Sequence, residues 1–265
     1  MVIHLRVTTK LFQLYIHKDK GLTDNLIERC QKAKFDGMCL TVDTVVAGNR
    51  ERDHRWGFTT PPKLTLKSLL SFATHPMWSI NYLTHEKFQL ANVSHFTKKG
   101  SSIAKGVMEY INEQYDPKMN WQDAEYCIKR WGGPFAIKGV MSVEDAKRAV
   151  EIGASAIMLS NHGGRQLDGS RSPFDQLPAI AEAVGGKLEI ILDGGVRRGT
   201  HVLKALSLGA TACSFGKGYL FALGAGGQKG VEALLQRMHD EIRRDMILLG
   251  CKTIKDLKKT NIAYR

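Results

Sequence analysis

Residues 160–169 read Ser-Asn-His-Gly-Gly-Arg-Gln-Leu-Asp-Gly, directly after the apolar run 154–159. His162 is of the residue type that exchanges a proton near neutral pH. Arg165, three residues on, offers a planar fork of donors suited to a carboxylate. A loop histidine taken alone is more often structural. This one is set apart by its arginine and by its place at the end of a strand.

A second constellation follows. Residues 192–199, Leu-Asp-Gly-Gly-Val-Arg-Arg-Gly, leave a strand and enter a helix. Gly194 and Gly195 let the backbone approach a ligand, Arg197 and Arg198 add charge, and the helix start points amide donors at an anion. The next strand ends in Phe-Gly-Lys-Gly (215–218), which brings Gly216 and Lys217. Together these predict a phosphate site. The plain alternative is two glycine turns with surface cations.

The elements that must carry these residues are legible in outline. Strands are expected at 11–16, 36–43, 134–140, 154–160, 188–193 and 210–215, with helices at 23–33, 142–152, 173–184 and 200–208. Regular strand–helix alternation implies a parallel sheet covered by helices. Polar residues recur at the strands' carboxyl ends: Gln13 and Tyr15, Thr41 and Asp43, Lys138, Ser160 and His162, Asp193, Gly216 and Lys217. A barrel gathers such ends into one ring, whereas a doubly wound sheet spreads them along a line. A barrel is therefore predicted. The stretch 52–124 lacks this rhythm and reads as a long insertion: a lid, a docking element around Trp78 and Trp121, or plain packing.

Composition narrows the class. The chain has 265 residues, of which 43% are hydrophobic and 24% charged, as in an ordinary globular domain. It contains neither a run long enough to span a bilayer nor a signal-peptide core, which reads as cytoplasmic. Five scattered cysteines without CxxC spacing predict reduced thiols and no metal site. A net charge of +12 favours anionic partners. The basic residues are dispersed and no nucleic-acid motif is present, so no nucleic-acid partner is expected. A solvated basic surface and docking on anionic lipid at the inner face of the cell membrane both stay open.

In order, FQLYIHKD (12–19), LTVDT (40–44) with GNRERD (48–53), IKGV (137–140), SNHGGRQLDG and DGGVRRGTHVLKALSLGA (193–210) resemble the motifs of FMN-dependent α-hydroxy acid dehydrogenases and oxidases. The likeness is greatest to quinone-linked bacterial L-lactate dehydrogenases, and it runs from about Leu11 onward. The resemblance implies a (β/α)8 TIM barrel, FMN as cofactor, and oxidation of L-lactate to pyruvate with electrons passed to quinone. It assigns His162 as the base, Asp43 as its orienting carboxylate, Arg165 and Arg50 as the carboxylate clamp, and Tyr15 as a substrate hydrogen-bond partner. Lys138 would stabilise the reduced flavin, Gln13, Thr41 and Ser160 would contact the ring, and Asp193 the ribityl chain. Gly194, Gly195, Arg197, Gly216 and Lys217 would hold the phosphate. Homo-oligomers are implied as well.

The family barrel has eight strands, and six are counted here. The chain is thus read as a single incomplete barrel over residues 1–265 with an insertion at 52–124, its N-terminal helical segment and first two strands missing. A fragment, a misassigned start, a shortened protein and an opening covered by a second chain are the alternatives. On function, the rivals are an oxygen-using oxidase, an enzyme for glycolate or mandelate, and an inactive remnant.

Overall fold

The computed structural model describes residues 9–51, 55, 65–85, 92 and 115–262. Six strands, β1 (Leu11–Leu14), β2 (Gly37–Thr41), β3 (Phe135–Val140), β4 (Ala156–Leu159), β5 (Glu189–Asp193) and β6 (Ala212–Ser214), form one sheet. Each pairs in parallel with its sequence neighbour. Spatial order equals chain order, so there is no switch point of the doubly wound kind. Among the described residues β1 and β6 each have one partner, so the sheet is an open arc of the TIM-barrel type.

The helices are α1 (Lys20–Lys32), α2 (Leu66–Thr74), α3 (Pro76–Thr84), α4 (Trp121–Trp131), α5 (Val143–Glu151), α6 (Pro173–Val184), α7 (Gly199–Ser207) and α8 (Lys217–Leu248). Local signals start several of them. Asp19 caps α1 by accepting from Gly21 and Leu22, Asn120 and Asp123 form a capping box on α4, and Ser142 and Ser172 cap α5 and α6. Gly132 stops α4 in the left-handed region at φ 72°.

Period-two alternation decides which face each strand residue takes. Leu14, Met38, Leu40, Ile137, Ile157, Leu159, Ile190 and Leu192 belong to the main core under the helices. Cys39, Ala136 and Met158, packed with Ala156 and Ile191, form a thin layer on the other, inner face. A fully buried Leu or Ile stabilises by about 1.5–3 kcal/mol, so the helix-facing layer holds the arc together. Carried on two residues in step, the inner face presents Thr41 after Cys39, Lys138 after Ala136, Ser160 after Met158 and Asp193 after Ile191. Gln13 pairs in register with Cys39 and shares that face.

Three features add to the sequence reading. Within the insertion the structure describes α2 and α3, and α4 begins before its expected end. At Trp121 the packing alternative holds: the ring packs on the core with the Arg148 guanidinium 5.6 Å from its centroid. The 32-residue α8, absent from the elements expected from sequence, contains Gly224, Gly226, Gly227 and Gly230. Its dihedrals do break at Gly226 and Gly227, so it is two helices meeting at a kink.

Candidate active site

The inner-face residues gather into two linked networks. In the first, His162 Nδ1 lies 3.0 Å from Asp43 Oδ1. A carboxylate only accepts, so Nδ1 carries the proton and Nε2 is left as the basic nitrogen. Thr44 donates to the same carboxylate oxygen at 3.1 Å and stands 3.3 Å from Nδ1. Asp43 Oδ2 is buried with no hydrogen-bond partner among the described residues. The carboxylate is placed to complement the imidazolium formed when Nε2 takes a proton.

The backbone is shaped around this pair. His162 itself has φ 57°, a region few non-glycine residues adopt. Gly139 sits at φ 109°, and a Cβ there would lie 2.7 Å from Asp43 Cβ, so only glycine lets β3 pass so close. Gln166 ties the two loops together. It donates to the Asp43 and Val46 carbonyls at 3.0 and 3.1 Å and accepts from Gly48 N–H at 3.2 Å. A Cβ at Gly48 would meet the Arg165 carbonyl at 2.3 Å.

The second network is ionic. Lys138 Nζ lies 3.2 Å from Asp193 Oδ2 and donates to Ser160 Oγ at 3.0 Å. Ser160 in turn donates to Asp193 Oδ2 at 2.7 Å and accepts from the His162 N–H at 3.0 Å. The two networks therefore meet at His162. Beside them, Gln13 Nε2 donates to Thr41 Oγ1 at 2.8 Å and to the Tyr15 hydroxyl at 2.9 Å. Burial raises the Tyr15 pKa above the ordinary phenol value, and the hydrogen bond with Thr41 opposes it.

The anion loops are only partly as expected. Gly194 (φ 102°) and Gly195 (φ 72°) expose bare backbone in a conformation that other residues resist. Among the described residues, no atom outside their chain neighbours lies within 4 Å of a Cβ built on Gly195 or Gly216. The start of α7, however, is not free to point at a ligand. Gly199 N–H donates to the buried Glu241 Oε2 at 2.8 Å, and a Cβ at Gly199 would lie 2.3 Å from the Met238 carbonyl. The anion at that helix end is the protein's own. Lys217 Nζ donates to the Gly163 carbonyl at 2.8 Å, which ties the β6 loop to the histidine loop.

The structure thus brings together Gln13, Tyr15 and Thr41, then Asp43 and His162, then Lys138, Ser160 and Asp193. Arg50, Arg165 and Arg197 lie exposed on the loops after β2, β4 and β5. Sequence reasoning missed Thr44, Gly139, Gln166 and Glu241. Gln166 lay inside a quoted motif, and Thr44 directly followed Asp43, yet neither spacing announced a role. Glu241 carried no signal, since its partner is 42 positions away.

The set suits a flavin phosphate ester. A largely enclosed cation and amide and hydroxyl groups share one face, and a glycine cradle with Arg197 and Lys217 lies at the same carboxyl ends. Comparison with known proteins agrees. The family described as FMN-dependent dehydrogenase matches residues 2–264, which extends the likeness through residues 2–10 as well. An L-lactate oxidase of Nostoc sp. is 42% identical over 93% of this chain and 62% of its own length. An L-lactate dehydrogenase of Vibrio cholerae is 38% identical over 96% of this chain and 67% of its own. Among solved structures, (S)-mandelate dehydrogenase, described as a monotopic membrane protein, superposes with a TM-score of 0.90 at 32% identity, covering 96% of this chain and 67% of that one. A lactate oxidase of Pediococcus acidilactici gives 0.76 at 34% identity, with 97% and 62% covered. The chain spans 62% and 67% of the two curated relatives.

Proposed function

This chain belongs to the FMN-dependent dehydrogenase family, and we propose that it oxidises an L-2-hydroxy acid, L-lactate to pyruvate, with electrons passed to quinone. The carrying observation is the His162–Asp43 pair, joined through Ser160 to the Lys138 ammonium on the same face. His162 Nε2 takes the substrate proton, and Asp43 holds the ring's tautomer and balances the imidazolium. Arg165 and Arg50 hold the substrate carboxylate as paired guanidinium donors. Tyr15, a neutral phenol, donates to the substrate. When bound, FMN supplies the two-electron acceptor. Lys138 would supply positive charge beside the ring, Gln13, Thr41 and Ser160 would contact it, and Asp193 would lie by the ribityl chain. Gly194, Gly195, Arg197, Gly216 and Lys217 hold the phosphate end.

The absorption spectrum of the purified chain, before and after anaerobic L-lactate, tests this reading. Flavin bands that bleach are expected. A colourless chain, or bands that L-lactate leaves untouched, would contradict it. Hydrogen peroxide equal to the pyruvate formed in air would make oxygen the acceptor, as the name of the Nostoc relative implies.

The helical pair α2–α3 supports peripheral association with the inner face of a membrane. None of its residues is buried, and Leu66, Leu69, Leu70, Met77, Trp78, Ile80, Tyr82 and Leu83 are all half exposed or more. Trp78 stacks between Phe72 and Tyr82 at 5.3 and 5.2 Å. Lys67 is the one Lys, Arg, Asp or Glu in 66–84. No helix of the described residues is long and apolar enough to cross a bilayer. Exposed aliphatic and aromatic side chains on a basic chain suit the interface of an anionic bilayer. Vesicles of phosphatidylglycerol should co-sediment the chain, and a Leu70→Glu/Trp78→Glu variant should stay in the supernatant. Equal sedimentation of the two would remove the assignment, and a monomeric variant from an oligomeric parent would give this face to a second copy.

A further inference from the structure

Tyr115 lies near the end of the insertion, yet it stands beside the strand end that carries Tyr15. Its backbone forms an antiparallel bridge with His17. In such a pairing the residue opposite His17 is a diagonal neighbour of Tyr15, within reach of an aromatic ring. The two rings do meet, in a T-shaped arrangement with centroids 6.4 Å apart and planes at 66°.

Both sides of this contact stand on fixed chain. His17 and Thr23 are buried, and the His17 N–H donates to Thr23 Oγ1 at 3.2 Å, which ties the bridge to α1. On the other side, Asp116 Oδ1 accepts from Lys118 N–H at 2.9 Å, and the Asp116 carbonyl accepts from Met119 N–H at 3.2 Å. That turn runs directly into the capping box of α4, and Met119 and Trp121 both pack on the core. Tyr115 is therefore held between α1 and α4.

The phenol of Tyr15 has a use for such a support. Its oxygen is held by Gln13 at 2.9 Å and by Thr41. Polar partners at that one end leave the ring free to tilt about it. A second aromatic ring against its body removes that freedom, and a pair of this kind is strong enough to change an affinity or a rate by about two- to tenfold.

We propose that Tyr115 is a positioning residue for Tyr15: the contact between the two rings fixes the tilt of Tyr15, and with it the direction in which its hydroxyl is offered to a substrate. The consequence for the substrate rests on the function proposed above; the ring contact does not.

The test uses the whole chain with Tyr115→Leu, which keeps an apolar side chain and loses the ring, and Tyr115→Phe, which loses only the hydroxyl. With flavin bound, Tyr115→Leu should lower kcat/KM for L-lactate by about two- to tenfold, and Tyr115→Phe should match the parent. In a Tyr15→Phe background, Tyr115→Leu should cost nothing further, since the hydroxyl it aims is gone. An unchanged kcat/KM in Tyr115→Leu overturns the proposal. So do equal losses in the two backgrounds, or a loss in Tyr115→Phe as large as that in Tyr115→Leu. In flavin-free protein with carbon-13-labelled tyrosine rings, the Tyr15 signal, assigned by its disappearance in Tyr15→Phe, should move in Tyr115→Leu and stay near the parent's position in Tyr115→Phe. If the parent retains no flavin, the proposed function fails separately and this signal alone decides: a Tyr15 resonance that Tyr115→Leu leaves in place overturns the proposal.

Discussion

His162 Nδ1 and Asp43 Oδ1 meet at 3.0 Å, although one residue follows β4 and the other follows β2, 119 positions apart in the chain. The parallel register brings the two strand ends level, and Gln166 and Gly139 then hold the loops in contact. Orientation of the imidazole is therefore a property of the sheet, not of the histidine loop alone.

Asp43→Asn is expected to leave flavin binding in place and to slow reduction of the flavin by L-lactate by on the order of 10³-fold, because an amide can hold the wrong tautomer and cannot balance an imidazolium. Rapid mixing under anaerobic conditions measures this. A loss smaller than about tenfold would mean that the carboxylate is not behind the base.

Gly139→Ala should act on the same pair from outside it. The new Cβ would face Asp43 Cβ at 2.7 Å, on a residue at φ 109°. Strain of this kind costs about 1–3 kcal/mol. Denaturant titration should show that loss together with a slower reduction step. Wild-type stability in this variant would mean that β3 has room to move.

Lys138→Met removes one member of a buried pair and leaves the Asp193 carboxylate without its ammonium. That should cost about 3 kcal/mol, or roughly 6–10 °C in thermal midpoint. The double variant Lys138→Met/Asp193→Asn should recover most of the midpoint without recovering flavin reduction. Calorimetry and stopped flow separate the two effects. Additive losses in the double variant would show that the ions act independently.

Alkali should weaken the fold. Burial pushes the Cys39 and Cys127 thiols up to about 12 and Cys213 up to about 11. Unfolded thiols ionise near 9 while the folded ones stay protonated, so the folded state binds more protons and stability falls as pH rises above about 9. Urea midpoints at pH 7, 8.5 and 10 should show little change over the first interval and a drop over the second. Cys39→Ala/Cys127→Ala should flatten that drop. A midpoint rising with pH would contradict the burial.

Much of this was legible in the sequence because parallel strands broadcast their type. Short apolar runs ending in Thr41, Lys138, Ser160 and Asp193 carry both the strand period and the chemistry, and the resemblance named the rest of the ring. What stayed hidden depends on contacts between distant positions. Nothing local marks Glu241 as the cap of Gly199, or Gln166 as the splice between two loops. The glycines of α8 weaken a helix signal, and Gly226 and Gly227 do break it, while Met238 and Glu241 anchor the part beyond the kink. Trp121 looked like Trp78 in the sequence, yet only the structure shows the first packed and the second exposed.

The central claim is that His162 is the base. Flavin-loaded His162→Gln, mixed anaerobically with L-lactate and followed at the flavin absorption band, tests it most directly. The variant should stay yellow and unbleached over a time in which the parent bleaches completely. Bleaching at the parent's rate would take the proton acceptor away from His162.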